Sequence, residues 1–221
     1  MPTLPMRRNR YLAVPALILV LTGAVFGLQG CPAVIGLGGL AAVSSLEDRR
    51  STGTQLDDQA IESRANTLIS ERIGERGHIN VAAFNRAVLL TGEAWDEAAR
   101  AQVEKIVAEL PNVRSVTNEV QVAGLSSGTS RANDTALTAK VKGRFTNVQG
   151  LNPLHVKVVT EAGVVYLLGL VTEAEAETAT DLARTTGGVR KVVKVFEYCK
   201  GTDDPCRPSS ASTERPKSQR M

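Results

Sequence analysis

Three cysteines, two histidines and a basic cluster on one helical segment are the groups in this 221-residue chain whose type and spacing could do chemistry. Cys31 closes Leu28-Gln29-Gly30-Cys31 behind a basic and then apolar stretch, where a thiol is placed for covalent attachment. Cys199 and Cys206 bracket Lys200 to Pro205. A disulfide over so short a loop stabilises by less than about 3 kcal/mol in the chain-entropy treatment; pairing with another chain is the alternative. His78 and His155 stand 77 residues apart, each just ahead of a strand in an internal repeat. Metal binding wants a cluster of ligands, so both histidines are read as solvent-exposed residues at the head of a strand. No Gly-x-Ser-x-Gly, Walker or His-Glu-x-x-His pattern occurs. We therefore expect no enzyme, no metal or cofactor and no small-molecule substrate. Trp95, the single tryptophan, fits either a partly buried cap or a partner contact.

The leader sets the class of protein. Met1 to Arg10 carries Arg7, Arg8 and Arg10 without an acid, and Tyr11 to Gly27 is almost wholly apolar, the n-region and h-region of a secretory signal. Leu28-Gln29-Gly30-Cys31 resembles a bacterial lipobox, with Gln29 its less usual occupant. The resemblance implies that residues 1–30 are removed and that Cys31 carries acyl chains. At about 0.8 kcal/mol per buried methylene, several chains make a permanent anchor. An uncleaved transmembrane helix is the competing reading, since about 20 apolar residues cross a bilayer, but Pro15, Gly23 and Gly27 thin the run. In such lipoproteins Asp after the cysteine commonly means inner-membrane retention. Pro32 stands there instead, which implies export to the outer membrane, facing the periplasm.

Removing the leader also removes a misleading charge. The chain has 26 Lys and Arg against 23 Asp and Glu, and three of those arginines lie in the leader, so the remainder is neutral. The calculated pI near 8.9 gives no reason to expect a nucleic-acid partner. Aromatics are only 4%, so the cores must be built from Val, Ile, Leu and Ala, which suits small, thin units. Residues 31–57 read as a lipid-anchored tether. Gly36, Gly38 and Gly39 lack the Lys-Ser/Thr pair of a phosphate loop.

The rest is a repeat. Val88, Leu90 and Gly92 fall on Val165, Leu167 and Gly169, while Val113-Arg114-Ser115-Val116 matches Val189-Arg190-Lys191-Val192 one residue out of step. Asp58 and Asp134 are read as helix N-caps, each opening an apolar stripe: Ile61, Ala65, Leu68 and Ile69, then Leu137, Val141 and Phe145. Period-two strands follow, joined by turns at Asn85-Arg86 and Glu161-Ala162-Gly163. The second helix buries Ala99, Val103, Ile106 and Leu110 in one unit and opens with a Thr172–Glu175 capping box in the other. Final strands run Val113 to Val122 and Val189 to Tyr198. The expected class is α+β, two tandem α-β-β-α-β two-layer sandwiches, each a three-stranded mixed sheet with two helices. The units span 58–122 and 134–199, with a linker at 123–133 and a disordered tail at 200–221.

Valine-rich strands, Leu-x-Gly, an Ala-rich helix and Gly-Val-x-x-Val resemble the BON domain, the bacterial osmotic-stress and nodulation domain. Gly169-Leu170-Val171-Thr172-Glu173-Ala174-Glu175-Ala176 and Gly188-Val189 carry the match. Ser51-Thr52-Gly53-Thr54-Gln55-Leu56-Asp57-Asp58 and Asn133-Asp134-Thr135 add likeness to tandem-BON lipoproteins of the outer membrane. The resemblance implies a non-enzymatic periplasmic module that contacts anionic phospholipid through its second domain, or envelope proteins, and supports envelope integrity. A protein-interaction or chaperone-like module on the same tether is the alternative.

The residues bear on that implication unevenly. Residues 59–122 hold seven basic and nine acidic side chains, whereas 132–200 hold nine and seven. Lys140, Lys142 and Arg144 cluster on the first helix of unit two. With Leu137, Val141 and Phe145 inward, Thr135, Thr138, Ala139 and Lys142 face outward and Lys140 lies on the flank. The candidate lipid-binding set is thus Thr135, Ala136, Ala139, Lys140 and Lys142. Each lysine at an anionic surface contributes about 1 kcal/mol, so two or three bind weakly without a tether. Simple solvation of a helix face explains the same lysines. Ala136 stands where an inserting helix would carry a large anchor, so contact is expected to be electrostatic more than insertive.

Overall fold

The computed structural model describes residues 48–200 and Cys206. The leader, Cys31 and most of the tether lie outside the described residues. Helix α1 (Thr52–Ile73) leads through a 3-10 turn (Gly74–Arg76) into β1 (Gly77–Phe84), β2 (Ala87–Ala94), α2 (Glu97–Ala108), β3 (Ser115–Asn118) and β4 (Gln121–Val122). The second unit repeats the order: α3 (Gly128–Phe145), a 3-10 turn (Pro153–His155), β5 (Val156–Glu161), β6 (Val164–Val171), α4 (Glu173–Arg184) and β7 (Lys191–Tyr198). In each sheet the middle strand is antiparallel to the strand before it and parallel to the last. β3 and β4 both pair with β2 in parallel. They are one strand interrupted at Glu119-Val120, where Val120 is buried. Both units are therefore α-β-β-α-β sandwiches with three-stranded mixed sheets.

The two aspartates do a different job from the one expected. Helix α1 is capped by Ser51, whose side chain accepts from Thr54 N, and α3 by Ser127, which accepts from Ser130 N. Residues 52–57 and 128–133, expected in tether and linker, form the first turns of these helices. Asp58 and Asp134 are buried inside them. Asp58 accepts from the backbone N–H of Asn85 (2.9 Å) and Arg86 (2.7 Å), and Asp134 from Ala162 (2.9 Å) and Gly163 (2.8 Å). Both hairpin turns have positive φ at their two central residues, the geometry of a type I′ turn. Each aspartate thus ties a helix to the hairpin packed on it.

The Leu-x-Gly signature has a steric cause. A Cβ on Gly92 would strike the carbonyl of His78 across the β1–β2 pair, and one on Gly169 the carbonyl of His155 across β5–β6. Beneath each sheet lies a largely aliphatic core. Ile61, Ala65, Val88, Leu90, Val103 and Ile106 belong to the first; Val141, Phe145, Val165, Leu167, Ala179 and Ala183 belong to the second.

A third cluster joins the units through the sheet faces turned away from the helices. Phe84 and Leu89 pack with Tyr166, Leu168 and Leu170, and Val159, Val193 and Val195 lie against them. Full burial of such side chains is worth about 1.5–3 kcal/mol each. The apolar run Val164–Val171 is thereby explained, since β6 is covered on both faces. Polar contacts rim the cluster: Lys157 with Glu62 and with the Ala83 carbonyl, Asn80 with Glu161 (2.6 Å), and Glu197 with Asn85 and Arg114. Burial pushes the Glu161 carboxyl up, aided by Glu93 and Asp134, although Asn80 opposes it. Burial likewise raises the Tyr166 hydroxyl to about 12.

Candidate functional site: the basic face of the second domain

Helix α3 turns 100° per residue, so with Leu137, Val141 and Phe145 buried, its outer crest runs through Thr135, Ala139 and Thr146, all exposed. Lys140 and Lys142 are also exposed. They sit 200° apart around the axis, one on each flank of a crest of small side chains. Ala136 and Lys140 line a groove of about 400 Å³ with Gly163, Gly187, Gly188 and Arg190. Lys140 also borders an adjoining hollow of about 690 Å³, formed with Gly143, Arg144 and the Thr185-Thr186-Gly187 loop. Thr135 turns instead to the cleft between the domains, about 480 Å³, beside Arg131, Lys157 and Glu161. The candidate set is thus divided. Ala136 and Lys140 share the groove, Thr135 lines the cleft, and Ala139 and Lys142 are exposed without lining either cavity.

Three assignments differ from the sequence reading. Thr138 is half-buried rather than outward, and its hydroxyl donates to Thr160 (2.8 Å). Arg144 is not a surface cation of the cluster. Its Nη1 donates to the Leu182 carbonyl (2.7 Å) and to the hydroxyls of Thr185 and Thr186, so it fixes the loop after α4. His155 is 9% exposed, not solvent-facing, with Nδ1 at 3.3 Å from Glu175 Oε1. Conversely, Arg190 was missed. It lies just ahead of β7, in a stretch read only as the final strand, but Gly187-Gly188 brings the chain back beside α3. There Arg190 N donates to the Gly163 carbonyl (2.9 Å) and its guanidinium to the Ala162 carbonyl (3.2 Å). The run Gly187-Gly188-Val189-Arg190-Lys191 was the signal for it.

The Thr172–Glu175 capping box is present. Burial alone would raise the Glu175 carboxyl, but hydrogen bonds from Arg49 and from the Thr172 N–H and hydroxyl outweigh it and hold the group at about 2. Cys199 and Cys206 are joined, with Cα atoms 6.1 Å apart. Trp95 is 63% exposed. Among the described residues, no His, Cys, Asp and Glu group of three or more is arranged to hold a metal ion, and no helix is long and apolar enough to cross a membrane.

Two sandwiches of this order, with the glycine contact repeated in each, define a tandem α-β-β-α-β module. The family model of the BON domain matches residues 57–124 and 133–200. The chain belongs to the BON-domain family, as a dual-BON lipoprotein of the outer membrane. It is similar to outer membrane lipoprotein DolP of Haemophilus influenzae, 34% identical, with 82% of this chain and 95% of the relative covered. The 21 kDa hemolysin of Actinobacillus pleuropneumoniae is 34% identical over 68% of this chain and 79% of its own length. The osmotically-inducible protein Y of Escherichia coli is 26% identical over 82% and 90%.

Proposed function

We propose that this lipoprotein holds anionic phospholipid at the periplasmic face of the outer membrane through its second BON domain, and so supports envelope integrity without catalysing a reaction. The observation that carries the reading is the convergence of Lys140 and Arg190 on one groove beside a crest of small residues. A crest of Ala139 and Thr146 lets the helix approach a headgroup layer closely, while lysines on both flanks reach phosphates from either side. Each such cation contributes about 1 kcal/mol, weak alone but sufficient for a domain held beside its membrane by acyl chains on Cys31.

The test uses the soluble chain from Pro32 onward and phosphatidylcholine vesicles with or without phosphatidylglycerol. Binding is expected only to the anionic vesicles and should weaken in high salt. Lys140→Glu with Lys142→Glu should abolish it, and Arg190→Glu should weaken it, while the circular dichroism spectrum stays unchanged. Absence of wild-type binding at low salt would refute the lipid reading. A protein-interaction module is the second reading, favoured by Trp95, whose exposed indole sits on the domain without the basic groove.

A further inference from the structure

Two consecutive arginines ahead of α1 reach into different domains. The Arg49 guanidinium donates to both Glu175 oxygens (2.6 and 3.0 Å) and to the Leu170 carbonyl (2.9 Å), all in domain two. Arg50 donates to Asp58 (2.8 Å) in domain one and to Asp48 (2.8 Å), and its guanidinium lies 4.0 Å above the centre of the Phe84 ring. Both partners are themselves tied into their domains. Glu175 is the capping-box residue of α4 and touches His155, whereas Asp58 holds the β1–β2 turn. The grip on domain two has no counterpart in the first repeat, because α2 carries Ala99 at the position of Glu175. Burial is nearly complete at this end, with the Arg49 and Glu175 side chains 12% and 11% exposed. A buried bidentate pair constrains geometry more than a surface ion pair does. Phe84, under Arg50, belongs to the cluster between the sheets.

We propose that Asp48–Arg50 is a clasp: the segment leading back toward Cys31 grips both BON domains at once and keeps their sheet faces docked. The apolar surface of Phe84, Leu89, Tyr166 and Leu168 stays covered while the clasp is seated. Opening it would let the domains part without unfolding either one. The clasp is independent of lipid binding and of which surface meets the membrane.

The test places a reporter thiol between the sheets, Leu89→Cys, in the full-length protein in detergent with Cys199 and Cys206 oxidised. A second reporter, Val103→Cys, lies within the core of domain one. Arg49→Gln with Arg50→Gln should speed labelling of the inter-sheet thiol about tenfold or more, the scale of a lost charge-assisted contact, and leave the core thiol unchanged. Arg49→Lys, which keeps the charge without the fork, should fall between. Should the double variant not fold, Arg49→Gln alone decides by the same comparison. Unchanged inter-sheet labelling overturns the clasp, and so does an equal rise at both reporters, which would mean general destabilisation.

Discussion

Asp58 and Asp134 show how one side chain joins two elements. Each buried carboxylate takes two N–H groups from a tight turn, and hydrogen bonds to a charged group are worth about 1.5–3 kcal/mol. Asp134→Ala leaves two turn amides without that partner, so urea unfolding should report a loss of about 2–4 kcal/mol. A loss below 1 kcal/mol would mean that the turn holds its own shape. Glu175 predicts a pH dependence at the same scale. Its carboxyl ionises at about 2 in the folded chain against an ordinary value of 4.5, so the fold favours the charged form. That contribution is complete above pH 4.5 and is lost as pH falls toward 2. Glu175→Gln should flatten the decline in Tm across this window, and a decline identical to wild type would remove Glu175 as its source.

Among the elements, α3 has the exposed face and α1 the covered approach. Helix α3 buries Leu137, Val141 and Phe145 and offers water mostly small or basic side chains, with no large anchor. Ala136→Trp should therefore strengthen binding to anionic vesicles, since an indole favours the membrane interface. The substitution adds bulk at an exposed position, where stability usually changes by only about 0.5 kcal/mol. Weaker binding in a sedimentation assay would show that the groove beside Lys140 must stay open to admit the headgroup. Of the three cations clustered toward the end of the helix, Lys140 and Lys142 are exposed, whereas Arg144 is engaged by the loop after α4. Composition counted all three alike because it carries no information on which long side chain finds an internal acceptor.

At the scale of the whole molecule, the proposed acyl anchor at Cys31 has a direct test. Cys31→Ala should leave an unprocessed, larger precursor held by its apolar leader, while the wild-type protein should give a mature N-terminus at Cys31 with acyl chains by mass spectrometry. A native chain retaining Met1 would restore the transmembrane reading.

The sequence determined the two-unit repeat, the order of strands and helices, the hairpin turns and the α4 capping box. All of these rest on local rules: apolar period, positive-φ turn residues, and a cap three positions from its partner. The glycines at 92 and 169 were legible as a repeat, although their cause, a carbonyl across the strand pair, was not. Only the tertiary structure decided the rest. Asp58 resembles a cap in sequence, but its partners are 27 and 28 residues away. Arg49 meets Glu175 across 126 residues, and the paired sheet faces draw on strands from both units. A charged side chain satisfied by a distant group leaves no periodic trace, because sequence patterns record which face is buried and not what buries it.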